Sequence, residues 1–241
     1  MKKFLLSIVL GTLLIACTNK TEWNIQPSGE IATDTIPVQS FHTLLNNSSV
    51  QIELDSAVNE NEIILTGDKN FIENLEIKNE NNQLNILNKK SVSFNTKLAP
   101  IVIKMNNSQL EKVTIAGSGS ITTKNMTLTK DIAFLISGTG EINVKLQNNN
   151  TSIEVNGLAS VNLEGESTVL KVEMPGAGNL DAENLKNKQA FIEISGTGNA
   201  KVNTTEAIDV QISGIGNLNY KAHPQLKITK EVLGIGNIDT Y

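Results

Sequence analysis

The chain has 241 residues, 39% of them hydrophobic but only 4% aromatic, with a formal net charge of −5 and a pI near 5.2. All 20 basic residues are lysine, and no basic cluster is interleaved with aromatics, which argues against nucleic acid as a partner. From Thr35 onward 207 residues remain (241 minus 34), enough for one elongated core without a second domain.

Met1-Lys-Lys is followed by an apolar run too short to span a bilayer as a stable helix, which ends in small residues, as a secretory signal does. Its close, Leu14-Ile15-Ala16-Cys17, resembles the bacterial lipobox. That resemblance implies cleavage after residue 16, lipidation of Cys17 and membrane attachment through it. A lone cysteine has no disulfide partner, which agrees, and several acyl chains on one residue meet the need for more than one anchoring signal. Residues 17–34 are polar, carry Pro27 and Gly29, and show no periodicity, so they read as a tether. Thr18 and not Asp stands directly after Cys17, which by the resemblance to lipoprotein sorting rules favours the outer membrane, at the cell surface or on the periplasmic side. Lys20-Thr-Glu22 reads as an ordinary solvated linker before it reads as an export signal.

Residues 35–110 alternate as strands without a fixed period. Val50-Gln-Ile-Glu-Leu54, Glu62-Ile-Ile-Leu-Thr66, Leu84-Asn-Ile-Leu87 and Ile101-Val-Ile-Lys-Met105 carry the pattern, and the turn-rich Asn79-Glu-Asn-Asn82 predicts a hairpin. A solenoid needs an atypical unit over its open end, so this region is expected to be an N-terminal cap with irregular first coils.

Over 111–241 one phrase returns seven times, led by Gly117, Gly138, Gly157, Gly176, Gly196, Gly214 and Gly234 at intervals of 21, 19, 19, 20, 18 and 20 residues. Two positions before each glycine stand Ile115, Ile136, Val155, Met174, Ile194, Ile212 and Val232. Apolar residues also recur four before, save Lys230, and four after, with Thr, Ser, Asn, Lys and Glu between them. Period-two alternation on both flanks predicts short half-buried strands of about six residues, joined by glycine turns and polar returns. An antiparallel meander or a membrane barrel is the rival, but spanning strands need about 9–11 residues and aromatic girdles. The expected fold is therefore an all-β, single-stranded parallel β-helix with about seven regular coils of ~20 residues. Its glycines are expected at positive φ. Asn179, Asn199, Asn217 and Asn237 are expected to stack as an amide ladder.

The lipobox leader, the start Phe41-His-Thr…Val50-Gln-Ile-Glu-Leu54 and the Gly-x-Gly-Asn-Ile/Leu repeats together resemble the GIN-type head domain over 36–241. This family is described as putative auto-transporter adhesins and is common in Bacteroidetes lipoproteins. The resemblance implies a right-handed β-helix, a surface or periplasmic setting and an adhesin role. Ala159 in place of a second glycine, and Leu158 and Ile215 within turns, depart from the pattern.

Catalytic constellations are sparse. Arginine is absent, and Asp34, Asp55, Asp68, Asp131, Asp181, Asp209 and Asp239 are scattered. Asp181 and Asp239 share a repeat position but lie three coils apart, roughly 14 Å, too far for an acid/base pair. Glu154, Glu173 and Glu193 form an outward ladder that reads as a solvated face, with a divalent-cation stripe as the sharper alternative. His42 and His223 stand alone as turn or surface residues. No helix follows the Gly-x-Gly pairs, so they are not dinucleotide fingerprints. Trp23 in the tether and Tyr220 on a strand flank do not make an aromatic platform. We therefore expect a non-enzymatic envelope protein with no cofactor and no metal. It would use an Asn/Thr/Ser-rich face for binding or adhesion to a glycan or a surface protein. A polysaccharide-active enzyme and a purely structural envelope protein are the alternatives. The last coil ends three residues after Ile238, and Lys230 and Glu231 are expected to blunt its open edge and keep the protein monomeric.

Overall fold

The computed structural model describes residues 25–89 and 100–241, and it is 70% strand and 2% helix. In chain order the cap region contributes β1 (Ile31–Pro37), β2 (Thr43–Asn47), β3 (Ser49–Asp55), β4 (Glu62–Asp68), the short helix α1 (Lys69–Glu73), β5 (Leu75–Glu80), β6 (Gln83–Asn88) and β7 (Ile101–Met105). The repeats contribute β8 (Lys112–Ile115), β9 (Ser118–Lys124), β10 (Ile132–Ile136), β11 (Thr139–Val155), β12 (Leu158–Met174), β13 (Ala177–Ile194), β14 (Thr197–Ile212), β15 (Ile215–Tyr220), β16 (Lys227–Val232) and β17 (Ile238–Thr240). These described strands join one sheet that winds into a parallel β-solenoid of about six turns. The seventh expected coil is only partial, because after Gly234 it consists of the three-residue β17.

The strands are longer than the alternation predicts. β11 to β14 run 16–18 residues each, because the polar returns are hydrogen-bonded strand as well. Leu146↔Gly165, Gln147↔Glu166 and Asn148↔Ser167 continue the parallel register straight through the return. The three apolar columns face inward as expected: Ile115, Phe134, Ile142, Met174, Ile194 and Leu218 are all buried. At the return corner the inward positions turn polar but paired. Thr151 Oγ1 lies 3.2 Å from Ser167 Oγ, and Asn187 Nδ2 donates to Thr204 Oγ1 at 3.0 Å, all four residues being buried.

The repeat glycines are not at positive φ. Among the described glycines only Gly29 and Gly165 are, at 77° and 106°. Close stacking explains the residue choice instead. A Cβ on Gly138 would collide with the carbonyl oxygen of Gly117, and the same clash recurs from Gly157 up to Gly234. Each glycine carbonyl accepts the N–H just after the next coil's glycine, as in Thr139 N to Gly117 O at 2.9 Å and Leu158 N to Gly138 O at 2.9 Å. The turn column is thus a backbone ladder that leaves no room for a methyl group.

One coil carries no glycine signature. β2 pairs in parallel with β8, and β3 with β9, so Asn46-Asn47-Ser48 occupies the place of Ile115-Ala116-Gly117. Beneath it lie two unequal arms. Under β2 sit β6 and, antiparallel to that, β5, joined through Asn81 and Asn82 at φ 51° and 64°, the two left-handed positions a tight hairpin requires. Under β3 lie β7, then β4 and β1, both antiparallel. Asp68 caps α1 through Asn70 N at 3.0 Å and also receives Ser28 N, Ser28 Oγ and Gly29 N at 3.0, 3.0 and 2.8 Å. The ordered domain therefore begins before Thr35: residues 31–34, expected in the tether, are edge strand, and residues 28–30 are tied to the cap. At the other end, β16 pairs only with β14 and β17 only with β15 among the described residues, and Val232, Leu233 and Ile235 are exposed.

Candidate functional site

Three surfaces run along the solenoid, each fixed by the repeat register. On the face after the glycines, Asn179, Asn199 and Asn217 stack, with Asn199 Nδ2 donating to Asn179 Oδ1 at 3.1 Å and Asn217 Nδ2 to Asn199 Oδ1 at 2.8 Å. The last rung differs: Asn237 donates its backbone N–H to Asn217 Oδ1 at 3.0 Å. These amides satisfy one another and stiffen the face.

On the face before the glycines, Glu154, Glu173 and Glu193 stand in register on successive coils, continued by Gln211 and Glu231. Lys171 bonds Glu173 at 2.6 Å; this contact, together with the charges of Glu173, Glu193 and Glu154, raises its ammonium pKa despite partial desolvation. Asn156 Nδ2 donates to Glu154 Oε1 at 2.7 Å. Among the described residues no group of three or more His, Cys, Asp or Glu is placed to hold a metal ion.

The third surface lies at the return corner. A concavity of about 540 Å³ opens across the returns of successive coils, and sequence reasoning missed it. Its floor includes the buried Ser167 and Asn187, whose hydrogen bonds are already made within the corner. Its walls carry Thr129, Gln147, Asn149, Glu166, Thr168 and Lys186, whose side chains make no hydrogen bond or ion pair with other described residues. Gln147, Glu166 and Lys186 stack on adjacent coils. Asp131 fixes one rim: Asn150 Nδ2 donates to it at 2.6 Å and the N–H groups of Asn150 and Asn149 at 2.8 and 3.1 Å. The Asn150 side chain first, then these N–H groups, hold its carboxyl below the usual range against the opposing effect of burial. The register slips between Ala182 and Lys186, beside one wall, and Gly165 sits at positive φ in the neighbouring return. The unequal glycine spacings were the one sequence signal for it.

Other candidates stay apart. Asp181 and Asp239 are separated by Lys201 and Asn219 in their column. His223 Nε2 lies 2.9 Å from Asn203 Oδ1. His42 is not isolated from carboxylates as expected, since its Nδ1 is 3.8 Å from Glu111 Oε1, a neighbour distant in sequence. Tyr220 is half-buried against the core. Cys17 and Trp23 lie outside the described residues. No helix among the described residues is long and apolar enough to cross a membrane.

The chain is similar to several solved structures. A putative adhesin from Bacteroides fragilis matches with a TM-score of 0.83 at 23% identity, covering 90% of this chain and 100% of its own. A putative lipid binding protein from Parabacteroides distasonis gives 0.67 at 20%, covering 89% and 98%. A putative adhesin from Parabacteroides merdae gives 0.63 at 17%, also covering 89% and 98%. At these identities the likeness establishes the fold. None of the curated proteins matches the chain. A family model described as "Putative auto-transporter adhesin, head GIN domain" matches residues 40–224, and the chain belongs to that family.

Proposed function

We propose that this chain is a lipoprotein held at the outer membrane through Cys17, and that its solenoid binds a glycan or a surface protein without catalysing a reaction. The observation that carries the binding reading is the polar concavity. Unbonded amide, hydroxyl and charged side chains converge there on rigid, hydrogen-bonded strands, the arrangement expected of a preformed recognition site. The family's adhesin description and the names of its structural relatives support binding over chemistry. The Asn ladder stiffens the separate face after the glycines, where its amides already have partners.

Two experiments test the reading. A glycan-array screen of residues 18–241 should return a reproducible ligand class whose signal falls in Gln147→Ala and Thr168→Ala variants. Retention of no glycan, and of no surface protein in a parallel pull-down, would favour a purely structural envelope role. For the anchor, Cys17→Ser should abolish incorporation of radiolabelled palmitate and release the protein from membranes. Equal labelling of both proteins would exclude lipidation at Cys17.

A further inference from the structure

The chemistry of the return-corner concavity narrows its ligand beyond a polar partner. Two lysines and one glutamate line it. Among the described residues Lys186 has no counter-ion, and Lys188 reaches only Glu206, at 4.0 Å. Glu166 stacks directly beside Lys186 yet does not pair with it. The remaining free groups, on Thr129, Gln147, Asn149 and Thr168, are neutral donors and acceptors of the kind that bond sugar hydroxyls. Three stacked rungs span roughly 10 Å, and two residues along a strand roughly 7 Å, a footprint that suits a short oligosaccharide lying along the solenoid axis.

Resting on the binding reading above, we propose that this concavity takes a carboxylate-bearing saccharide, a hexuronate oligomer. Lys186 and Lys188 meet the carboxylate, Glu166 accepts from hydroxyls, and the amide and threonine walls bond the rest of the ring. Charge and acceptor strength select this class. The ammonium of Lys186 suits a carboxylate, whose charge is shared by two strongly accepting oxygens. A sulfate ester spreads the same charge over three weaker acceptors, and a phosphate monoester would set more negative charge against Glu166. The acidic column of Glu154, Glu173 and Glu193 repels any anion, so that face disfavours the same ligand.

Isothermal titration calorimetry of the full chain in detergent, with a short oligogalacturonate, the neutral oligogalactoside of the same length and its sulfated counterpart, decides the matter. The oligogalacturonate should bind roughly tenfold tighter than either, and Lys186→Gln should erase that preference while Lys69→Gln, in the cap helix α1, leaves it intact. Added salt should weaken the acidic ligand selectively. Equal affinity for the acidic and neutral sugars, tighter binding of the sulfated one, or indifference to Lys186→Gln overturns the proposal. If saccharide binding nevertheless falls in Gln147→Ala and Thr168→Ala, the concavity remains the binding site and only the carboxylate assignment is lost. Absence of binding by all three sugars overturns both the ligand class and the saccharide role of this site.

Discussion

The regular coils and the cap coil built from β2 and β3 solve the same packing problem with different residues. In the regular coils, each turn N–H reaches a carbonyl of the coil below, as in Gly157 N to Ile136 O at 3.0 Å and Gly214 N to Ile194 O at 3.1 Å. The column residue beside it can then be wholly apolar. The cap coil rests on a hairpin instead. There the corresponding donor, Ser48 N, bonds Asn46 Oδ1 at 3.0 Å. Asn46 sits fully buried in the register position that Ile115 and Ile136 occupy above it, and its Nδ2 has no hydrogen-bond partner among the described residues. A polar residue enters the apolar column where the repeat below is missing. Sequence periodicity is thus a consequence of having an identical neighbour, and it fails at the first coil that lacks one.

The largest effect that would test this comparison is expected in a regular coil. Ile194→Asp places a carboxylate in a site with no acceptor-seeking N–H, and should cost on the order of 4 kcal/mol. Glu193→Ala, one residue away and exposed, should be close to neutral. Equal losses of thermal stability in the two variants would show that the inward and outward assignment is wrong.

Next come the glycines. In Gly196→Ala the new Cβ meets the carbonyls of Gly176 and Pro175, backbone atoms bound into the ladder, so a loss of about 1–3 kcal/mol is expected. Gly140→Ala meets Ile136 Cγ2 at 3.0 Å and Ile115 Cδ1 at 3.2 Å, side-chain ends that can shift, and Ala159 already occupies the equivalent place one coil on. Its loss should stay under about 1 kcal/mol. Comparable melting temperatures for the two alanine variants would contradict the carbonyl-stacking account. The cap coil sharpens the point: Asn46→Ile restores the repeat's residue type yet exchanges an unpartnered Nδ2 for an unpartnered Ser48 N–H. It should therefore leave stability within roughly 1 kcal/mol, and a clear gain in chemical denaturation would refute the role given to Asn46.

The two ends of the solenoid can be compared in the same way. Lys230 takes an apolar-column position in β16, and Glu231 is exposed beside it. Lys230→Val with Glu231→Thr removes both charges from an edge strand, and the double variant should self-associate where the parent sediments as a monomer. A parent dimer, or a variant as monomeric as the parent, would discount the two charges as guards of that edge.

The smallest effect is local to the cap and depends on pH. Burial raises the Asp68 pKa, but the Ser28 and Gly29 N–H groups, the Ser28 hydroxyl and Asn70 N together hold it below its usual value. A carboxyl with a depressed folded-state pKa stabilises above its unfolded value of about 3.9, and that contribution fades as pH falls through the folded value. Proteolysis within residues 25–30 should thus remain slow at neutral pH and accelerate below about pH 4, whereas Asp68→Asn should be cut readily throughout. An acid profile shared by both proteins would remove Asp68 as the fastening.

Much of the solenoid was legible because stacking repeats its demands. Each coil must supply the same inward residues and the same methyl-free turn, so Ile115 through Ile212 announce themselves at fixed distance from a glycine. The cap coil was hidden because Ser48 and Val50 stand where Gly117 and Gly119 stand above, and because β4 to β7 are inserted between its strands and the next coil. The positive-φ expectation failed for a related reason: glycine serves two needs, dihedral freedom and lack of bulk, which a sequence cannot separate. The return-corner concavity lies among unequal returns, and an offset of one or two residues in spacing does not reveal which side chains it gathers.

The insertion between β3 and β8 has a further consequence, in time rather than in space. Ile192 pairs with Val210 across 18 residues, but Ile52 pairs with Ile121 across 69 (121 minus 52). Closing the longer loop carries a larger entropic cost, and contacts of greater sequence separation form more slowly. A chain that emerges N-terminus first therefore presents β2 and β3 before the strands they stack on exist. The later coils can each close against a neighbour about 20 residues away, so assembly is expected to start among them and to reach the cap coil last, although that coil is made before them.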